Sequence, residues 1–294
     1  MKRISTTHWI SEFDSQGTCK EQVELGEIFQ VETLDCYGGK IRTSEDLRSQ
    51  VKVDYLNPAV GPIEIKGLLA GKIGKIEVMD IEVGSQGVMA IKPGYGPLGD
   101  FVVSEDTRIL PIQNGKIHFT EKLVFPVAPM IGVIGFFPKE GSFETPLPGS
   151  HGGNLDTKEI CKGSEIYLPV HQDGGGLALG DLHALMGDGE LYGAGVEVAG
   201  RVTLRVTEAE LAFDLREPLV IKGEDAYLVI TGTDFPDALD KGLKELVRIL
   251  EITQGLSFND AYRLTSLIAD IRISQVVNEL ITIKFKVPKK YFSM

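Results

Sequence analysis

One stretch constrains this chain more than any other. Residues 149–197 hold twelve of its 34 glycines. Glycine in the middle of a helix or strand costs roughly 0.5–1 kcal/mol relative to alanine. A stretch this rich in it is therefore short strands joined by turns, not a long helix. The same stretch carries three of the five histidines, His151, His171 and His183. Asp156, Asp173, Asp181, Asp188, Glu190 and Glu197 lie among them. Imidazoles and carboxylates hold cations or move protons. The expectation is a metal-assisted hydrolytic site on a mostly β scaffold.

The rest of the chain supports that scaffold. Residues 27–34 alternate, with Phe29, Val31 and Thr33 on one side and Gln30 and Glu32 on the other, as in a half-buried strand. The run Asp35-Cys36-Tyr37-Gly38-Gly39 breaks it as a turn. Ser44–Gln50 reads as a short helix capped by Ser44. Pro58 and Pro62 then force an extended loop that presents Asp54 and Asn57. Asn114-Gly115 marks a hairpin between two apolar runs. Residues 124–137 read as a buried irregular strand or loop. Residues 199–206 and 211–221 read as strands. Helices come late. Asp234 caps one, with Leu239, Leu243, Leu246, Val247 and Leu250 at helical spacing and Gly255 at its end. A second opens on Ser257-x-x-Asp260, with Ala261, Leu264, Leu267 and Ile268 on its face. A hairpin turning near Asn278-Glu279 follows. The fold class expected is mainly β with a C-terminal α/β portion: a sandwich or barrel-like body, two helices and a terminal hairpin. The chain reads as a single unit over 1–294, or more finely as a β-rich body over 1–206 and an α/β portion over 207–294.

Charge narrows the partners. With 30 Lys+Arg against 42 Asp+Glu the formal net charge is −12. Such a chain repels phosphates, which argues against nucleic acid and anionic membranes and for a small neutral or cationic ligand or a metal ion. No run of ~18 apolar residues spans a membrane. No apolar run follows the basic N-terminus, so a secretory signal is not expected. Cys19, Cys36 and Cys161 fit no metal-binding Cys pair and point to a reducing cytoplasm.

Asp181 and His183 are two apart, so in a strand both project to one side and reach one ion. Asp188 and Glu190 repeat that spacing. His151 and Asp156 come from a separate loop, and Glu197 from the next strand. Mixed histidine and carboxylate ligands suit Zn²⁺. Added carboxylates and loop carbonyls suit Ca²⁺. Plainer readings stand beside these. His8 and His118 read as structural, and His171 is balanced between structural residue and ligand. Gly174-Gly175-Gly176 reads as a tight loop, since no phosphate-binding Lys-Ser/Thr accompanies it. Residues 94–99, GYGPLG, match a dinucleotide fingerprint by letter, but Pro97 and the strand-like FVV that follows deny the required helix. Asp188-Gly189 also reads as a hairpin turn. Cys161 has no histidine near it in sequence and reads as a structural thiol.

Taken together, HGGNLDTK (151–158), YLPV (167–170), LALGDLHALMGDGE (177–190) and GVEVAGRVTLRV (195–206) resemble the acetamidase/formamidase family. LNPAVGPIEIKGLLAGK (56–72) and MIGVIGFFP (130–138) extend the resemblance over most of the chain, toward the shorter, acetamidase-like branch. Met186 departs from it, standing where the family often has glutamine. The resemblance implies hydrolysis of short aliphatic amides such as acetamide and formamide to a carboxylate and ammonia. It further implies a cytoplasmic, metal-associated homo-oligomer, a dimer or higher. On that reading Asp181 and His183 are metal ligands, followed by Asp156 and Glu197. Glu190 or Asp188 is the general base. His151 and Asn154 orient the substrate or stabilise an oxyanion. The alternative from another class is a non-catalytic, metal-stabilised protein that binds a small ligand. The few aromatics at the motif, Tyr167 and Tyr192, argue against a large amide.

Overall fold

The computed structural model describes residues 1–51 and 55–293, so Asp54 lies outside it. Two large sheets carry most of the chain. One is nine-stranded, ordered Lys2–Ile4, Ile28–Thr33, Gly200–Ala209, Ile73–Val83, Ser164–Pro169, Leu219–Lys222, Asp225–Gly232, Ile281–Pro288 and Asp270–Gln275. It runs without interruption through strands on both sides of residue 206. The other has twelve strands, with Leu177–His183 near its middle. Neither closes into a barrel, and their apolar faces meet. Phe29, Val31, Ile76, Val202 and Leu204 from the first share one core with Val60, Ile131, Ile134, Leu179 and Leu182 from the second. Alternation set this up: Phe29, Val31 and Thr33 are buried while their neighbours are not. The arrangement is a β-sandwich.

The helices pack on the far end of the nine-stranded sheet. Helix α1, Phe235–Gln254, is capped by the Asp234 carboxylate, which accepts from Asp237 N, and ends at Gly255 in the left-handed conformation. Its Leu246, Val247, Ile249 and Leu250 cover Leu228, Ile230, Ile283 and Phe285. Helix α2, Phe258–Ile268, opens on Ser257, which accepts from Asp260 N. No helix among the described residues is long and apolar enough to cross a membrane.

Several local expectations are corrected. Residues 44–50 form turns, not a helix. Asp46 Oδ2 instead accepts from Arg42 N and Thr43 N, a side-chain turn that competes with helix start at Ser44. Only Leu219–Lys222 of the 211–221 run is a strand, after Pro218 removes a donor. Residues 124–126 are an exposed edge strand, whereas Met130–Gly135 is wholly buried. Residues 99–101 form one 3-10 turn, and residues 102–105 are not strand. Leu267 is 81% exposed and lies off the packed face of α2.

Candidate active site

The buried Leu177–His183 strand is the axis of the site. Met130–Gly135 pairs along one side of it; Ala59–Lys66 and Glu197–Val198 share the other. The ladder to Met130–Gly135 skips Gly132 and Asp181. There Asp181 adopts φ 55°, so its carboxylate does not follow simple strand alternation. A Cβ on Gly132 would stand 2.7 Å from Asp156 Oδ1 and 2.7 Å from Asp181 Oδ2. Two acids from different segments thus meet over a residue that can have no side chain.

Asp156, at φ 42°, Glu190, at φ 48°, and Asn57, at φ 52°, share this unusual backbone. Left-handed conformations of non-glycine residues persist where the surroundings over-determine them, and such strain clusters at functional sites. The strained backbone here sits where side chains from four segments must meet.

His183 pairs with Glu197 in the strand register. Its Nε2 lies 3.1 Å from Glu197 Oε1, 3.7 Å from Asp181 Oδ1 and 3.9 Å from Glu190 Oε1. None of these approaches is aligned as a hydrogen bond, and both ring nitrogens are buried without a hydrogen-bond partner. Asp156 Oδ1, Asp181 Oδ1 and Glu197 Oε2 are orphaned in the same way. Ligand atoms of Asp156, His183 and Glu190 lie within 4.8 Å of one another, as do those of Cys36, Asp181 and Glu197.

Crowding of buried acids shapes their titration. Burial, then the Asp181 charge, pushes the Asp156 carboxyl up to about 7. Burial, reinforced by Asp181, also pushes Glu197 up to about 7. Burial and Asp156 hold Glu190 well above the carboxylate range. Burial opposes charge on His183, yet Glu197 and Asp181 outweigh it and hold the imidazole well above its ordinary value. Four buried carboxyl groups around one imidazole, with orphaned lone pairs, form a cluster that protons relieve only in part. A divalent cation satisfies the same atoms at once, and the donor set fits one.

Around this cluster is a cavity of about 40 Å³, lined by Cys36, Asn57, Asn154, Asp181, Glu190, Glu197 and Asn278 among others. Asn57 N donates to Cys36 O at 3.0 Å, and Asn57 Nδ2 donates to Asp181 Oδ2 at 3.0 Å. Asn154 presents an orphaned Oδ1. Asn278 comes from the tip of the terminal hairpin, and its Nδ2 donates to Asp156 Oδ2 at 3.4 Å. That hairpin is fastened to the site loops. Gly189 N donates to Ser274 O at 2.9 Å, Val276 N to Gly189 O at 3.2 Å, and the Thr157 and Ser274 hydroxyls meet at 2.8 Å.

The structure brings Asp156, Asp181, His183, Glu190 and Glu197 together and puts Asn154 on the cavity wall. It does not bring His151 or Asp188 there. His151 is packed between Phe13 and Phe143, with ring centroids 5.2 and 4.9 Å away, and burial, then His171, pushes it down to about 4. Asp188 bonds Lys284 at 2.7 Å and pairs with Lys158 at 3.1 Å; these cations outweigh its burial and lower its carboxyl. Sequence reasoning missed Cys36 and Asn278, each of which it saw only as part of a turn. Asn57 stood in a loop fixed by Pro58 and Pro62, a signal without a stated role.

A profile of the Acetamidase/Formamidase family matches residues 139–294. Formamidase of Methylophilus methylotrophus is 27% identical over 248 residues, 63% of this chain and 60% of its own length. The aligned part thus spans about 60% of the curated formamidases it matches. Among solved structures, an acetamidase from Bacillus halodurans superposes with a TM-score of 0.95 at 37% identity, covering 99% of this chain and 98% of that one. An acetamidase from Yersinia enterocolitica gives 0.91 at 27% identity, covering 100% and 93%. Fold, motifs and near-complete coverage agree: the chain belongs to the acetamidase/formamidase family.

Proposed function

We propose that this protein hydrolyses short aliphatic amides, formamide and acetamide, to the carboxylate and ammonia with the help of a divalent cation. The observation that carries the reading is a cluster of five buried ionisable side chains, four with orphaned atoms, of which Asp181, Glu190 and Glu197 line a cavity of only about 40 Å³. A water needs about 10–15 Å³ of such space, so the cavity admits a group of only a few heavy atoms. That matches a three- or four-heavy-atom amide.

In this reading Asp181, His183, Asp156 and Glu197 hold the cation, and Cys36 lies close enough to join them. Mixed nitrogen, oxygen and sulfur donors favour Zn²⁺, with Ca²⁺ the choice if carboxylates dominate. The cation's chemistry is to polarise a carbonyl and to acidify water. Glu190, on the cavity wall, takes the proton of the attacking water and gives it to the departing nitrogen, so that amide and water yield acid and ammonia. Asn154 accepts an N–H of the amide at its orphaned Oδ1. Asn57 and Asn278 hold Asp181 and Asp156 in place. His151 lies outside the lining and supports the Gly152–Asn154 strand from behind. Asp188, held by two lysines, is the poorer choice of base.

The test is ammonia release from formamide, acetamide and propionamide, with and without chelator, alongside elemental analysis. Release that chelator abolishes and added Zn²⁺ restores is expected. Asp181→Ala and His183→Ala variants are expected to lose both cation and turnover. A folded, cation-loaded protein that releases no ammonia, and whose melting temperature drops with chelator, instead indicates a structural cation in a binding protein.

A further inference from the structure

Among the described residues, the cavity is lined by three carboxylates and one cation, Arg48. Its position is built by local bonds. Ser49 donates to Glu105 through both its backbone N–H and its hydroxyl, and Thr107 Oγ1 donates to Asp46 O at 2.8 Å. The guanidinium carbon stands 4.4 Å from the Tyr95 ring centroid and 5.8 Å from that of Tyr37. Tyr95 in turn packs against the loop at Gly193, where a Cβ would come within 2.5 Å of its ring. So the arginine is held by aromatic faces that join it to the cavity wall.

Among the described residues no acid pairs with it. No ion pair joins Arg48 to Asp181, Glu190 or Glu197, although all four line one cavity. Both rings stand beside the guanidinium, Tyr95 also engages it by a side-chain hydrogen bond, and no carboxylate among the described residues takes its other N–H donors. Those donors form a fork that matches a carboxylate. An amide enters this cavity neutral, but its hydrolysis leaves an anion among acids, and something must offset that charge.

We propose that Arg48 is a carboxylate-binding residue that receives the short monocarboxylate product through the N–H donors Tyr95 does not take, with Tyr95 and Tyr37 holding the guanidinium in place. The identity of that anion as product rests on the amide-hydrolase reading; the subsite itself does not. Arg48 sets how tightly product is retained, and its partner is a small carboxylate such as formate or acetate.

The test titrates acetate into the cation-loaded parent and into Arg48→Gln and Arg48→Lys variants by calorimetry, with melting temperatures as a check on folding. Arg48→Gln is expected to weaken acetate binding about tenfold or more, with Arg48→Lys recovering part of the loss because it keeps charge but not the fork. Acetate inhibition of ammonia release should weaken in the same order. A folded Arg48→Gln that binds acetate like the parent overturns the proposal, as does a parent that binds no acetate. Should Arg48→Gln fail to fold, Arg48→Lys decides alone: parent-like acetate affinity in it overturns the fork. A parent that binds acetate through Arg48 but releases no ammonia sinks the amidase reading and leaves the subsite standing. Amide turnover with acetate binding indifferent to Arg48 does the reverse.

Discussion

Lys284 and Asp188 form an ion pair of 2.7 Å in which the lysine is 0% exposed. The same ammonium lies 2.5 Å from Glu159 Oε2, so one buried charge serves two acids. It links the Ile281–Pro288 strand to both site loops. Lys284→Met leaves Glu159 without its cation and Asp188 with Lys158 alone. Removing one partner of a buried pair costs about 3–5 kcal/mol. A loss of that size is expected in urea unfolding, and adding Glu159→Gln and Asp188→Asn should recover part of it. A parent-like midpoint for Lys284→Met would show that the pair holds nothing together.

Gly132→Ala probes the floor of the site. Its Cβ must displace the Asp156 or Asp181 carboxylate, since both stand 2.7 Å from it. Misplacing supporting groups around a metal site typically costs about 10–100-fold in affinity. Calorimetric titration with Zn²⁺ is expected to show a loss in that range or beyond.

The chelated protein has a defined pH response. Asp156 and Glu197 are raised from ordinary carboxyl values to about 7, so the folded state holds protons that the unfolded state has released. Their stabilisation is whole below about pH 4 and fades as pH rises through 7. His151, lowered to about 4, acts oppositely between about pH 4 and 6.5, against the raised acids Asp156, Glu197 and Glu190. Glu217, raised to about 7 away from the site, adds to the decline. Unfolding free energy without cation should therefore fall from pH 4 to 7, and bound Zn²⁺ should remove the part due to Asp156 and Glu197. A chelated protein whose stability rises over that range contradicts the electrostatics of the site.

Cys36 should resist alkylation in the folded state. It is buried, and burial, then the Glu197 charge, holds its thiol well above the ordinary value, so little thiolate is present to react. Mass-mapped labelling at neutral pH should modify Cys36 in unfolded chains and spare it in native ones. Rapid native labelling would place the thiol outside the cluster.

Period-2 alternation made Phe29, Val31 and Thr33 readable as a buried face, and Asn114-Gly115 gave the hairpin at φ 52° and 71°. Capping gave both helices. These signals are local, carried by a few neighbouring residues. The site was legible in part for the same reason: Asp181, His183, Glu190 and Glu197 lie within 17 residues of one another. Cys36, Arg48 and Asn278 were not, because what brings them in is strand order and a loop held by distant hydroxyls. His151 and Asp188 stand apart from the cluster. Their neighbours in sequence are site residues, but their neighbours in space are aromatic rings and lysines. Asp181 also reaches the cluster through a left-handed backbone, which no alternation rule contains.

The terminal hairpin has a bearing on biosynthesis. Asn278 lines the cavity, and the strand that secures it, Ile281–Pro288, comes after every other described strand in chain order. A ribosome delivers residues in order, with earlier regions folding first. The sandwich strands can therefore pair while Asp156 still lacks Asn278, and Glu159 and Asp188 still lack Lys284. A nascent chain stalled before residue 278 would carry a cavity open where Asn278 stands, so the wall is completed only after the hairpin has emerged.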